Sequence, residues 1–279
     1  MTLRPNRKNI IFFIGAVLTA VFLFIALFAP FLTPYDPTKM DIPQKFIAPC
    51  AEHIFGTDHL GRDILSRIIL GARISLFTAA AAVFISAFAG TIIGLISGYI
   101  GGWVDMIIMR IVDVLLAFPS IVFALALSTV LGKGQLNLLI AICFIQWTGY
   151  ARVTRGEAVM LKNAEYIQAA KVMGNSSTSI MFRYILPNII SKEIILISLD
   201  IGTIILYCSS LSFLGLGAQP PSPDWGVMIS EGKDYMQYAP WIAFFPGVAI
   251  TLSSLGFNML GDGLRDILDQ RMKETVISG

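Results

Sequence analysis

Residues 10–32 read IIFFIGAVLTAVFLFIALFAPFL and hold no charged side chain. A helix rises about 1.5 Å per residue, so this run is long enough to cross the roughly 30 Å hydrocarbon core of a bilayer. Lipid offers no water to exposed backbone N–H and C=O groups, and a segment this apolar must satisfy them internally, as a helix. That requirement sets the fold class: an all-α polytopic membrane protein. Further apolar runs at 74–100, 104–131, 136–150, 194–211 and 242–260 bring the expected transmembrane helices to six. Composition agrees, with 56% of residues hydrophobic and 14% charged, whereas about a quarter of a soluble domain is charged.

Orientation follows from the basic residues. The first nine, MTLRPNRKN, carry Arg4, Arg7 and Lys8 and no acid, which keeps this flank in the cytoplasm. The first run ends in LFAPFLTPYDP rather than a small-residue cleavage site, so it reads as an uncleaved helix. Six spans return the C-terminus to the cytoplasm, with thirteen Lys and Arg inside and seven outside, in line with the positive-inside rule. The chain divides into an N-terminal helix with an external amphipathic segment (1–73), a core (74–263) containing a polar loop at 157–192, and a cytoplasmic tail (264–279).

In the external segment Pro34, Pro37, Pro43 and Pro49 make the first half irregular. The second half is expected to lie along the membrane interface, with Ile64, Leu65, Ile68 and Ile69 on one helical face and Arg62, Asp63, Arg67 and Arg73 on the other. Asp58, Arg62 and Asp63 read as capping and mutually pairing at an exposed site. The second span is rich in Ala, Gly and Ser, which let helices approach closely in lipid. Gly101-Gly102-Trp103 is expected to turn the chain at the inner interface. Charges inside a membrane default to a functional reading. Arg110 and Asp113 are three apart and expected to pair on one face near a pathway mouth. Pro119 kinks or restarts that span. Asp200 is the acid expected inside the fifth span, where it either lines the pathway or bonds a Ser or Thr across helices.

Several chemistries are excluded. Cys50, Cys143 and Cys208 are far apart with no CxxC, and His53 and His59 have no metal-ligand spacing. No phosphate-binding loop or nucleophile elbow is present. No basic run is dense enough for nucleic acid. The chain is expected to be no enzyme and to need no metal or cofactor.

The loop at 157–192 reads EAVMLKNAEYIQAAKVMGNSSTSIMFRYILPNIISK. Residues 163–173 lack helix breakers and predict a short helix. Gly174 supplies a left-handed stop. Asn175, Ser176 and Ser177 are N-cap types for a second helix at 179–186, which Pro187 is expected to end. The pattern Gln168-Ala169-Ala170, three residues, Gly174, eleven residues, Leu186-Pro187 resembles the EAA loop of ABC-importer permeases. Gln168 stands where that family has Glu. The resemblance implies a cytoplasmic coupling helix seated in a cleft of an ATPase subunit, carried by Glu165, Tyr166, Gln168, Ala169, Ala170, Gly174, Leu186 and Pro187.

A second resemblance is independent of the first. GTDxxGRDxxSR, with Gly56, Thr57, Asp58, Gly61, Arg62 and Asp63, is similar to the dipeptide, oligopeptide and nickel branch of those permeases. So are GARxSL, GGWVDMIIMRIVDVLLAFPS, SFLGLGxQPPxPxWGxMI and GDGLRDxLD. The resemblance implies a second-permease, C-type subunit of a type I importer in the cytoplasmic membrane of a prokaryote. It would pair with a paralogous permease as a heterodimer, above two ABC ATPase subunits and below an external solute-binding protein. SLDIG at 198–202 and WGVMIS at 225–230 resemble nickel-importer subunits slightly more than peptide ones. Nickel or a metal chelate is therefore the expected cargo, with di- or oligopeptides the other choice. The alternative from another class is a self-sufficient secondary transporter or channel. It predicts an internal repeat and coupling acids in both halves, against which the sequence offers Asp200 and the Pro119 break, with Arg110 and Asp113 as a gate.

Overall fold

The computed structural model describes residues 7–277, so Arg4 of the basic flank lies outside it. Nine helices order these residues: α1 (Arg7–Leu32), α2 (Ile64–Ile100), α3 (Gly102–Leu116), α4 (Ser120–Leu131), α5 (Gln135–Leu161), α6 (Glu165–Val172), α7 (Ser177–Phe213), α8 (Trp225–Gly232) and α9 (Trp241–Ile277). Five of them are long and apolar enough to cross a membrane, and α3 with α4 makes a sixth span if the bent pair counts as one. The bend between α3 and α4 is 90°. Pro119 adopts an extended backbone there and α4 begins afresh at Ser120, because a proline disfavours helix in the residue before it.

Close packing rests on small side chains. Gly90, Gly94 and Gly98 form one stripe of α2 laid against α5, and a Cβ at any of them would meet the α5 backbone at Trp147, Ala151 or Arg155. Helices in lipid associate through such contact and not through burial of apolar surface. α1 crosses α9 in the same way, with Gly15 against Met259 and Leu260, and Gly263 against Phe12. Its other face leaves Phe13, Leu27 and Phe31 exposed, as a lipid-facing helix would.

Three expectations need correction. α2 does not begin near residue 74. It starts at Ile64, capped by Asp63, and runs unbroken for 37 residues. Arg62 and Arg67 do not form the solvated face expected there, since each is 1% exposed. α5 likewise passes Tyr150 and continues to Leu161, because Arg155 and Arg152 in its last turns pair with Asp105 and Asp113 of α3. The last correction concerns Pro187, which ends no helix. Residues Ile180–Ile185 form a π-helical turn, with the Leu186 N–H bonded to the Met181 carbonyl. The wider turn gives the proline ring room and leaves the helix continuous.

Buried apolar residues fall into two clusters. The larger gathers around Trp225 and joins α2, α5, α7, α8 and α9. The smaller, with Leu95, Ala158, Ile167, Ala170, Ile180, Ile185 and Ile189, sits where the loop between α5 and α7 folds back on the end of α2.

Candidate functional site

The loop from Lys162 to Ser176 is built by local rules. α5 ends at Lys162, whose ammonium donates to the carbonyls of Gly98 and Tyr99 at 3.3 and 3.4 Å. A cation here meets the negative end of the α2 dipole. α6 follows, with Ile167 and Ala170 fully buried and Glu165, Tyr166, Gln168 and Ala169 exposed. α6 closes in a Schellman turn: the Asn175 N–H donates to the Ala170 carbonyl and the Gly174 N–H to that of Lys171. Gly174 has a φ of +82° with no heavy atom within 4 Å of an added Cβ. Only backbone conformation asks for glycine there. Ser176 then caps the next helix, accepting from the Ser179 N–H at 3.2 Å.

This construction leaves Val172 and Met173 at the tip, 89% and 72% exposed. Gln168 turns back on its own loop and donates from its amide to the Lys162 carbonyl at 2.9 Å. A glutamate at 168 has no N–H to make that bond. Leu186 is half-buried and Pro187 exposed on the outgoing helix, away from the tip.

The outer motif residues form a closed cap. Asp58 accepts from the N–H groups of Leu60 and Arg62 and from Arg62 Nε at 2.6 Å. Glu231, from the far end of α8, accepts from Arg62 at 2.9 Å and Arg67 at 2.8 Å. Two guanidiniums and two carboxylates thus neutralise one another in a buried network. The expected pairing at 58–63 is present, but buried rather than exposed. Asp63 caps α2 through Ser66 and also meets His53 Nδ1 at 2.9 Å, while His53 Nε2 meets Gln44 at 3.0 Å. The Thr57 carbonyl accepts from Trp241. Gly56 and Gly61 each have a φ of +77°, and a Cβ on Gly61 would collide with the Asp41 carbonyl. Asp224 caps α8 through the N–H groups of Gly226 and Val227. Burial pushes its carboxyl above the usual carboxylate range, against the hydrogen bond from Ser75. Among the described residues no three His, Cys, Asp or Glu side chains gather as metal ligands would.

The three membrane charges singled out by sequence do not meet. Asp113 pairs with Arg152, not Arg110, and both members are about half exposed. Arg110 is exposed on α3 and Asp200 is partly buried in α7. Sequence reasoning missed Glu193, which is 4% exposed and accepts from Thr154 at 2.6 Å. A second acid therefore lies inside α7, where the fifth span was expected to hold Asp200 alone. Its signal was available: seven residues, two helical turns, separate Glu193 from Asp200.

Residues 90–274 match the family of binding-protein-dependent transport system inner membrane components. Residues 2–49 match the N-terminal TM domain of oligopeptide transport permease C. The chain is 45% identical over 267 residues to the dipeptide transport system permease protein DppC of Alkalihalophilus pseudofirmus, covering 96% of this chain and 88% of that one. The glutathione transport system permease protein GsiD of Pectobacterium atrosepticum is 46% identical over 250 residues, covering 89% and 83%. GsiD of Escherichia coli is 44% identical over 271 residues, covering 97% and 89%. The expectation of nickel finds no support in these relatives, which are named for a dipeptide and for glutathione. Membership of this family implies a binding protein and ATPase partners, and makes the chain itself non-catalytic. The chain belongs to the binding-protein-dependent inner-membrane permeases of ABC importers, as a C-type permease of the peptide branch.

Proposed function

We propose that this permease carries short peptides, glutathione among them, and is driven through the loop at 157–192. The observation that carries the second half is the tip of that loop, where Val172 and Met173 stand exposed beyond a helix whose other face is buried. An apolar tip on a firmly closed turn suits insertion into a groove. An ATPase subunit is the occupant that the family supplies. Glu165, Tyr166, Gln168 and Ala169 flank the tip and complete the contact, while Ala170 and Gly174 shape it. Leu186 and Pro187 lie in the lower part of α7, the long helix that carries the push into the membrane. The subunit pairs with a paralogous permease, two ATPases sit against the two loops, and the core at 74–263 forms half of the pathway. Within 1–73 the external cap that follows α1 faces the binding protein, and 264–279 is the cytoplasmic tail. Asp200 is the membrane acid kept for the pathway; Arg110 and Asp113 frame its mouth.

The substrate half rests on the names of the relatives, and uptake tests it. Cells lacking the gene are assayed with a labelled dipeptide, labelled glutathione and labelled nickel. Loss of dipeptide or glutathione uptake, restored by the gene, is the expected result. Loss of nickel uptake alone would overturn the peptide reading.

A further inference from the structure

Glu193 is an expensive residue for its place. One carboxyl oxygen accepts from the Thr154 hydroxyl of α5 at 2.6 Å; the carboxyl is otherwise buried, with the Thr91 side chain of α2 beside it. The setting is apolar, beside a groove of about 270 Å³ lined by Phe84, Phe88, Ile190 and Ile194. A buried acid holds two helices together at greater cost than a well-packed leucine would, and the α2–α5 contact manages with glycines. What an acid adds is direction.

The neighbours give that direction a pattern. Tyr150, Thr154 and Glu157 share one face of α5. Opposite them on α7, Asp200 lies within electrostatic reach of the Tyr150 hydroxyl. Glu193 holds Thr154, and Lys192 meets Glu157 at 2.7 Å. These polar pairs follow one another towards the coupling loop. α5 is the helix that enters the loop and α7 the helix that leaves it.

We propose that the Thr154–Glu193 bond is a latch and Glu193 a positioning residue for transport. It fixes the register of α5 against α7, so that a push on the loop moves both helices as one lever. Without it the loop yields while the membrane helices stay behind. The proposal rests on the coupling reading given above.

The test uses the whole importer in proteoliposomes with its binding protein and a labelled dipeptide, and reads peptide moved per ATP hydrolysed. Glu193→Ala should lower that ratio roughly five-fold, a change of the size expected along a coupling route, while ATP hydrolysis continues. Glu193→Gln keeps an acceptor for Thr154 and should restore most of the ratio. Should Glu193→Ala fail to assemble, Thr154→Val removes only the donor and should show the same loss. An unchanged ratio in Thr154→Val and Glu193→Ala, with Gly174→Val uncoupled, would overturn the latch alone. An unchanged ratio in all three would overturn the coupling reading and the latch with it. Equal loss in Glu193→Gln and Glu193→Ala would assign the effect to charge and also overturn the latch.

Discussion

The outer cap and the cytoplasmic loop are built from similar parts and put to opposite uses. Each turns on a positive-φ glycine, +77° at Gly61 and +82° at Gly174. Around Gly61 the backbone of Asp41 presses in; around Gly174 nothing lies within 4 Å. Charges follow the same division. The cap buries Arg62 and Arg67 against Asp58 and Glu231, whereas the loop spreads single cations over the end of α2, Lys162 on its carbonyls and Lys171 above the Tyr99 ring at 5.7 Å. The cap is finished in itself. The loop leaves its tip unpartnered. On the coupling proposal, that difference separates a closed cap from a surface offered to a partner.

The largest expected effect lies in the cap. Glu231→Ala leaves Arg62 and Arg67 buried side by side, and breaking one partner of a buried ion network costs about 3–5 kcal/mol. Thermal unfolding in detergent should show a strongly lowered midpoint, partly regained when Arg67→Met is added. Survival of the cap at wild-type stability would remove its static character. Gly61→Ala comes next, since it adds a clash to about 1–2 kcal/mol of left-handed strain. The matched change in the loop, Gly174→Ala, carries the strain without the clash. It should leave the unfolding midpoint of the whole protein nearly in place while reducing uptake, and Gly174→Val should reduce uptake further without preventing membrane insertion. If both glycines respond alike in both assays, the contrast fails. The smallest effect belongs to Gln168→Glu. It removes the bond to the Lys162 carbonyl, about 1 kcal/mol, and should change uptake by less than either glycine variant.

What the sequence made legible was local. Gly174 as a left-handed stop, Ser176 as a cap and Pro119 as a restart each depend on a few neighbouring residues, and all three stand as read. The early start of α2 was not legible. Arg62 and Arg67 look like a solvated face until Glu231, more than 160 positions away, is known to neutralise them. Glu193 sits at the polar end of a span, where an acid reads as loop unless its two-turn spacing from Asp200 is weighed. Pro187 misled because a proline's effect depends on the turn before it, and the π-helical turn at Ile180–Ile185 has no strong signature of its own.

If the coupling proposal holds, the tip at Val172 and Met173 is the grip for an ATPase subunit. The most direct measurement is co-purification of the ATPase subunits with the double variant Val172→Asp/Met173→Asp in mild detergent, scored beside peptide uptake. The variant should reach the membrane in normal amount and lose both the ATPases and uptake. ATPase recovery and uptake equal to the unaltered protein would contradict the coupling proposal.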